Sequence, residues 1–106
     1  MTDTITAEEF LAGPGTGDWR VDGTTAHATF QTGSFTAGVE LIEAIAELAE
    51  GANHHPDVDL RYPAVTVRLT SHDVDALSRR DLALARQISD AARELDIPAA
   101  PTADSE

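Results

Sequence analysis

Residues 51–70 read GANHHPDVDLRYPAVTVRLT, and the rhythm of the apolar residues changes inside this stretch. From Ala64 to Thr70 the alternation is clear. Val65, Val67 and Leu69 fall on one face, and Thr66, Arg68 and Thr70 on the other, the pattern of a half-buried strand. Upstream, Gly51 is expected to stop a helix. Pro56 prevents that helix from resuming and biases His55 toward extended backbone. Residues 58–62 read as a short extended piece. A helix therefore gives way here to a pair of strands.

Working toward the N-terminus, Ser34 is placed to cap a long helix running to about Glu50. Phe35, Val39, Ile42, Ile45 and Ala49 recur at spacings of four, three, three and four, a single apolar stripe predicted to face the core. Before it, residues 18–22 (DWRVD) and 25–31 (TAHATFQ) flank a turn at Asp22-Gly23 and predict a β-hairpin. Ala26, Ala28 and Phe30 alternate with Thr25, His27 and Thr29, so His27 is expected on the polar face. Thr6 and Glu9 stand at capping-box spacing and predict a short helix over 6–12. The glycines at 13, 15 and 17 miss the spacing of a dinucleotide-binding loop.

Toward the C-terminus, Ser78 with Asp81 three places later predicts a capped helix, with Leu82, Ala85, Ile88, Ala92 and Leu95 as its buried stripe. Pro98 is expected to end the ordered part. The chain thus divides into one domain, residues 1–97, and a flexible polar tail, residues 98–106 (PAAPTADSE). Hairpins with helices between them, each strand apolar on one face, argue an α+β fold: an antiparallel sheet covered by helices on one side. The other sheet face meets water or a symmetry mate.

Composition excludes several classes. The 106 residues contain no cysteine, which removes disulfides, thiolate nucleophiles and iron–sulfur clusters. The net charge is −12, and all seven basic residues are arginines. Such a surface repels phosphate backbones and anionic membranes, so neither nucleic acid nor membrane is expected as a partner. No apolar run has membrane-spanning length, and a cytoplasmic location is the expectation. A lysine-free acidic surface suits a high-salt cytoplasm, and biased genomic composition produces the same result.

Chemistry concentrates near 50–81, in Glu50, Asn53, His54, His55, Tyr62, His72, Arg80 and Asp81. Three uses are open. Metal binding is disfavoured because adjacent histidines aim poorly at one ion and HExxH spacing is absent. Nucleophilic catalysis lacks a GxSxG element. General acid–base catalysis fits best, since imidazole gives and takes protons near neutral pH. Against all three stands a structural use: His54 and His55 as a favourable charge at a helix C-terminus, Asp81 as a helix cap and Tyr62 as a strand aromatic.

The spacing Glu50, His54-His55-Pro56, Tyr62, His72, Asp81 closely resembles the signature of the pterin-4a-carbinolamine dehydratases. LTSHD (69–73) and LSRRDLALARQI (77–88) resemble that family's strand-to-helix segment, and Trp19 and Phe35 fit its N-terminal half. The likeness runs from about Phe10 to Ala92. It implies a four-stranded antiparallel sheet with two long helices and a short N-terminal helix on one face, in homodimers or homotetramers. It further implies dehydration of 4a-hydroxytetrahydropterin to the quinonoid dihydropterin, in tetrahydrobiopterin recycling beside an aromatic amino-acid hydroxylase, with no metal or organic cofactor. By the same resemblance His54 and His72 are the acid/base groups and His55 binds and orients the pterin. Glu50, Asn53, Tyr62 and Arg80 contact or border the substrate, and Asp81 is a structural cap near the site. Two departures stand out: Val58 occupies a position where many members carry tryptophan, and Arg79 replaces a commoner acidic residue. The resemblance also admits a non-catalytic or dual-role binding protein (a dimerisation cofactor or assembly factor) on the same fold, and a dehydratase for another pterin.

Overall fold

Thr6 Oγ1 accepts a hydrogen bond from the Glu9 amide at 3.0 Å, and Glu9 Oε1 accepts one from the Thr6 amide at 2.8 Å. This capping box opens α1 (Ala7–Ala12). The computed structural model describes residues 4–71 and 73–100. In it α1 is followed by β1 (Arg20–Asp22), β2 (Thr25–Gln31), α2 (Phe35–Ala52), β3 (Asp57–Arg61), β4 (Ala64–Leu69) and α3 (Arg79–Glu94). The order is the one predicted from periodicity.

The four strands form one antiparallel sheet in the order β1-β2-β4-β3. Ala28 stands opposite Val67 in the central pair. That register brings Ala26, Ala28 and Phe30 into phase with Val65, Val67 and Leu69, and all six are buried. Leu41 and Ile45 of α2 and Leu84, Ala85 and Ile88 of α3 complete the same core. The opposite sheet face is polar. Thr29 and Thr66 hydroxyls hydrogen-bond across it at 2.9 Å, and His27 lies there beside Arg68, its partner in register.

Several boundaries and faces differ from expectation. The buried stripe of α2 is Gly38, Leu41, Ile45 and Ala49, whereas Phe35 is 54 % and Val39 37 % exposed. Gly38 explains the rotation. A Cβ there would lie 2.6 Å from Leu60 Cδ1 and 3.4 Å from Val65 Cγ2, so the missing side chain lets this face of the helix sit closest to the sheet. On α3, Leu84 is buried and Leu95 is exposed, while Asp81 and Ser89 join the interior.

The helix stop also moves. α2 runs through Gly51, and Asn53 takes the left-handed conformation at φ 52°. Asparagine tolerates that region better than other non-glycine residues. Asn53 N–H reaches Glu50 O at 3.2 Å and His54 N–H reaches Ala49 O at 3.1 Å, a Schellman closure. At the other end, Pro98 O accepts from Gln31 N–H at 2.8 Å and Ala100 N–H donates to Thr29 O at 2.7 Å. Residues 98–100, expected to begin the tail, therefore pair with β2 on its β1 side. Proline is tolerated there because only its carbonyl is used. The remainder of the expected tail lies outside the described residues.

Candidate active site

The Schellman closure decides where the histidine pair goes. With Asn53 left-handed, the chain reverses off the end of α2, and His54 and His55 lie between that helix and the start of β3. The two rings then meet different surroundings. His54 is 8 % exposed, and its Nε2 lies 2.5 Å from Asp81 Oδ1. His55 is exposed, with Nε2 2.8 Å from Glu50 Oε2. The neighbouring histidines are thus paired with different carboxylates, one inside and one outside.

Asp81 is in the first turn of α3 and is fully buried. Its Oδ2 accepts from Ser71 Oγ and from Ser78 N–H, both at 2.9 Å, and lies 3.3 Å from Ser78 Oγ. The two serine hydroxyls are 2.6 Å apart. The capping role predicted for Asp81 is present in this contact with Ser78. Its bond to His54 is additional, and sequence reasoning missed it. A buried carboxylate with both oxygens hydrogen-bonded is stable in place, because donors replace the water it loses.

Outside this buried group lies a cleft of about 260 Å³ lined by Asn53, His54, His55, Thr70 and Asp73. Thr70 and Asp73 were not among the predicted site residues. The available signal was their position, with Thr70 immediately after β4 in phase with its polar face and Asp73 shortly beyond it. Asp73 accepts from Arg80 Nη2 at 2.7 Å. That hydrogen bond is the leading reason its carboxyl sits below the usual carboxylate range; desolvation opposes the shift, and the Arg80 and His54 charges reinforce it. Arg80 borders the site through Asp73. A second, apolar groove of about 180 Å³ adjoins the cleft at His55 and is lined by Ile42, Ala46, Ala49, Pro56 and Val58.

The structure brings Glu50, Asn53, His54, His55, Arg80 and Asp81 to one end of the fold. Tyr62 is elsewhere. It follows β3, at the turn into β4, and is 70 % exposed. His72, expected as an acid/base group, lies outside the described residues; its neighbours Ser71 and Asp73 contact Asp81 and line the cleft respectively. Among the described residues, no cluster of three or more His, Cys, Asp or Glu side chains is arranged to hold a metal ion. No helix of the described chain is long and apolar enough to cross a membrane.

Comparison with known proteins identifies the architecture. A protein from Nocardia farcinica, inferred to be a pterin-4-alpha-carbinolamine dehydratase, is 45 % identical over 76 residues, covering 72 % of this chain and 80 % of its own length. A Chloroflexus aurantiacus protein with the same inferred activity is 36 % identical over 90 residues, covering 85 % of this chain and 94 % of its own. Among solved structures, a transcriptional coactivator/pterin dehydratase from Brucella melitensis superimposes with a TM-score of 0.74 at 26 % identity, covering 84 % of this chain and 98 % of that one. A pterin dehydratase-like RuBisCO assembly factor of the alpha-carboxysome shares the fold, with a TM-score of 0.58 at 19 % identity over 70 % of this chain and 86 % of that one. The family profile described as pterin 4 alpha carbinolamine dehydratase matches residues 2–91. The chain belongs to the pterin 4 alpha carbinolamine dehydratase family.

Proposed function

We propose that this chain is a hydro-lyase that removes water from 4a-hydroxytetrahydropterin to give the quinonoid dihydropterin. One observation supports this reading above others: a polar cleft at the end of α2 in which an exposed and a buried histidine stand side by side, each with its own carboxylate. The substrate carries a hydroxyl on C4a and a proton on N5. The C4a–O bond breaks as a proton is delivered to the leaving oxygen. The N5 proton is removed, and its electron pair forms the C4a–N5 double bond. Nothing is oxidised or reduced, and the net loss is one water.

In this reading His54 and His72 exchange those protons, and His55, pinned by Glu50, binds and orients the ring. Asn53 and the cleft's Thr70 and Asp73 supply hydrogen-bonding edges for the pterin amide and amino groups. A positioned acid or base contributes about 10²–10⁴-fold. The assignment extends to a homodimer or homotetramer and to a place beside an aromatic amino-acid hydroxylase in tetrahydropterin recycling. The test is turnover of chemically prepared 4a-hydroxytetrahydropterin, followed by ultraviolet absorbance, with wild type and His55→Ala side by side. Acceleration by wild type that is lost in the variant supports the reading. A wild-type rate equal to the spontaneous one overturns it.

The second reading is a non-catalytic binding protein on the same fold. Phe35 and Val39 on the exposed side of α2 favour it, since neighbouring apolar side chains left in water mark a contact surface. A stoichiometric protein partner recovered together with absent turnover would decide for it.

A further inference from the structure

We propose that Asp81, Ser71 and Ser78 form a buried positioning cradle that determines which ring nitrogen of His54 carries its proton. The kinetic consequence rests on the dehydratase reading above; the protonation pattern does not. None of the three residues lines the cleft, so each acts through His54 rather than on a substrate.

The two carboxylate oxygens of Asp81 have different duties. Oδ2 receives the Ser78 amide and the Ser71 hydroxyl, both at 2.9 Å, and lies 3.3 Å from the Ser78 hydroxyl oxygen, whose single hydrogen is used elsewhere. A backbone N–H only donates, so this corner must always be an acceptor. With Ser71 donating to Asp81, the 2.6 Å contact between the two hydroxyls is donated by Ser78. Ser71, Ser78 and Asp81 are all fully buried, and the arrangement does not depend on solvent. Oδ1 is left for His54 Nε2, 2.5 Å away. Two acceptors cannot share that contact, so Nε2 carries the hydrogen. Nδ1 then holds the lone pair, and it has no partner among the described residues. The cradle therefore leaves Nδ1 as the nitrogen free to take a proton.

The arrangement has a sharp consequence. In Asp81→Asn the amide oxygen must stay at the Ser78 N–H corner, so the amide nitrogen faces His54. Nε2 must then accept, and the ring proton moves to Nδ1. The experiment is 15N–1H long-range correlation NMR of the full chain at a pH of about 9, above the imidazole range, on wild type, Asp81→Asn and Ser71→Ala. The expected result is an Nε2–H ring in wild type and an Nδ1–H ring in Asp81→Asn. Turnover should fall by about tenfold or more in kcat with KM within about twofold. In Ser71→Ala the His54 nitrogen shifts should move away from wild type, and Ser71→Thr, which keeps the hydroxyl, should restore them. An Nδ1–H ring in wild type overturns the proposal, as does an unchanged ring in a folded Asp81→Asn. If Asp81→Asn does not fold, Ser71→Ala carries the test, and unchanged His54 shifts there overturn it. A wild-type chain with the expected ring but no turnover leaves the cradle standing and removes the dehydratase reading instead.

Discussion

The Trp19 indole donates to Ser89 Oγ at 2.9 Å, across 70 residues of sequence, and ties the chain entering β1 to the middle of α3. Both residues are buried, and the indole also meets the Phe30 ring edge-on at 6.4 Å. Ser89→Ala would strand the indole N–H in an apolar interior, a loss of about 1–3 kcal/mol. Trp19 is the single tryptophan of the chain, so denaturant unfolding followed by its fluorescence reports directly on this contact. The midpoint should fall with the slope unchanged. An unchanged midpoint would mean that another acceptor replaces the hydroxyl.

The Arg80–Asp73 pair predicts a shift in titration with little shift in stability. Asp73 is held below its ordinary value of 3.8, chiefly by the Arg80 hydrogen bond. A depressed carboxyl adds stability above its unfolded value and loses it as pH falls through the folded one. The window is therefore acidic, and nothing changes between about pH 5 and 8. Because the pair is exposed, its contribution is small. Arg80→Gln should let the Asp73 carboxyl rise toward 3.8 in an NMR titration while the melting temperature at pH 7 stays put. A carboxyl that titrates as in wild type would remove Arg80 as the cause.

Tyr62 offers a test of the site's extent. The resemblance assigns it to substrate binding, yet β3 separates it from the histidine pair. Six residue steps from Pro56 at about 3.3 Å each put it roughly 20 Å away along the strand. Tyr62→Ala should leave kcat and KM within about twofold of wild type. A large loss of activity would place Tyr62 in a site shared between two copies of the chain.

What the sequence could and could not announce follows from the range of the forces involved. Thr6 with Glu9, Ser34, and Ser78 with Asp81 act within one helical turn, and each helix begins where they direct. Strict alternation in 64–70 needs only the pleat, and it placed Val65, Val67 and Leu69 correctly. The face of α2 was harder, because Phe35 and Val39 are as apolar as Leu41. Gly38 decides between them through its approach to Leu60 and Val65, residues known as neighbours only once the sheet is assembled. Asn53 displaced Gly51 as the stop because either residue tolerates the left-handed turn. In the site, the histidine pair was visible as an oddity of composition. The bond from His54 to Asp81 spans 27 residues, and nothing local to Asp81 separates a helix cap from a helix cap that also holds a histidine.

The two histidines should differ in their effect on stability when each is removed. His54→Ala takes the donor from Asp81 Oδ1 in a fully buried position and opens space beside it. The Ser71 hydroxyl and the Ser78 amide still hold Oδ2, so the expected loss is about 1–3 kcal/mol rather than collapse of the fold. His55→Ala removes an exposed ring whose partner Glu50 is exposed as well, and surface changes of this kind stay within about ±0.5 kcal/mol. Under the dehydratase reading both variants lose turnover, His54→Ala through proton transfer and His55→Ala through binding. Thermal melts together with kinetics on the two variants separate these effects. His54→Ala should melt lower, with kcat reduced, and His55→Ala should melt like wild type, with KM raised. Equal melting temperatures would show that the buried contact between His54 and Asp81 contributes nothing to the folded state, and that its geometry serves the cleft alone.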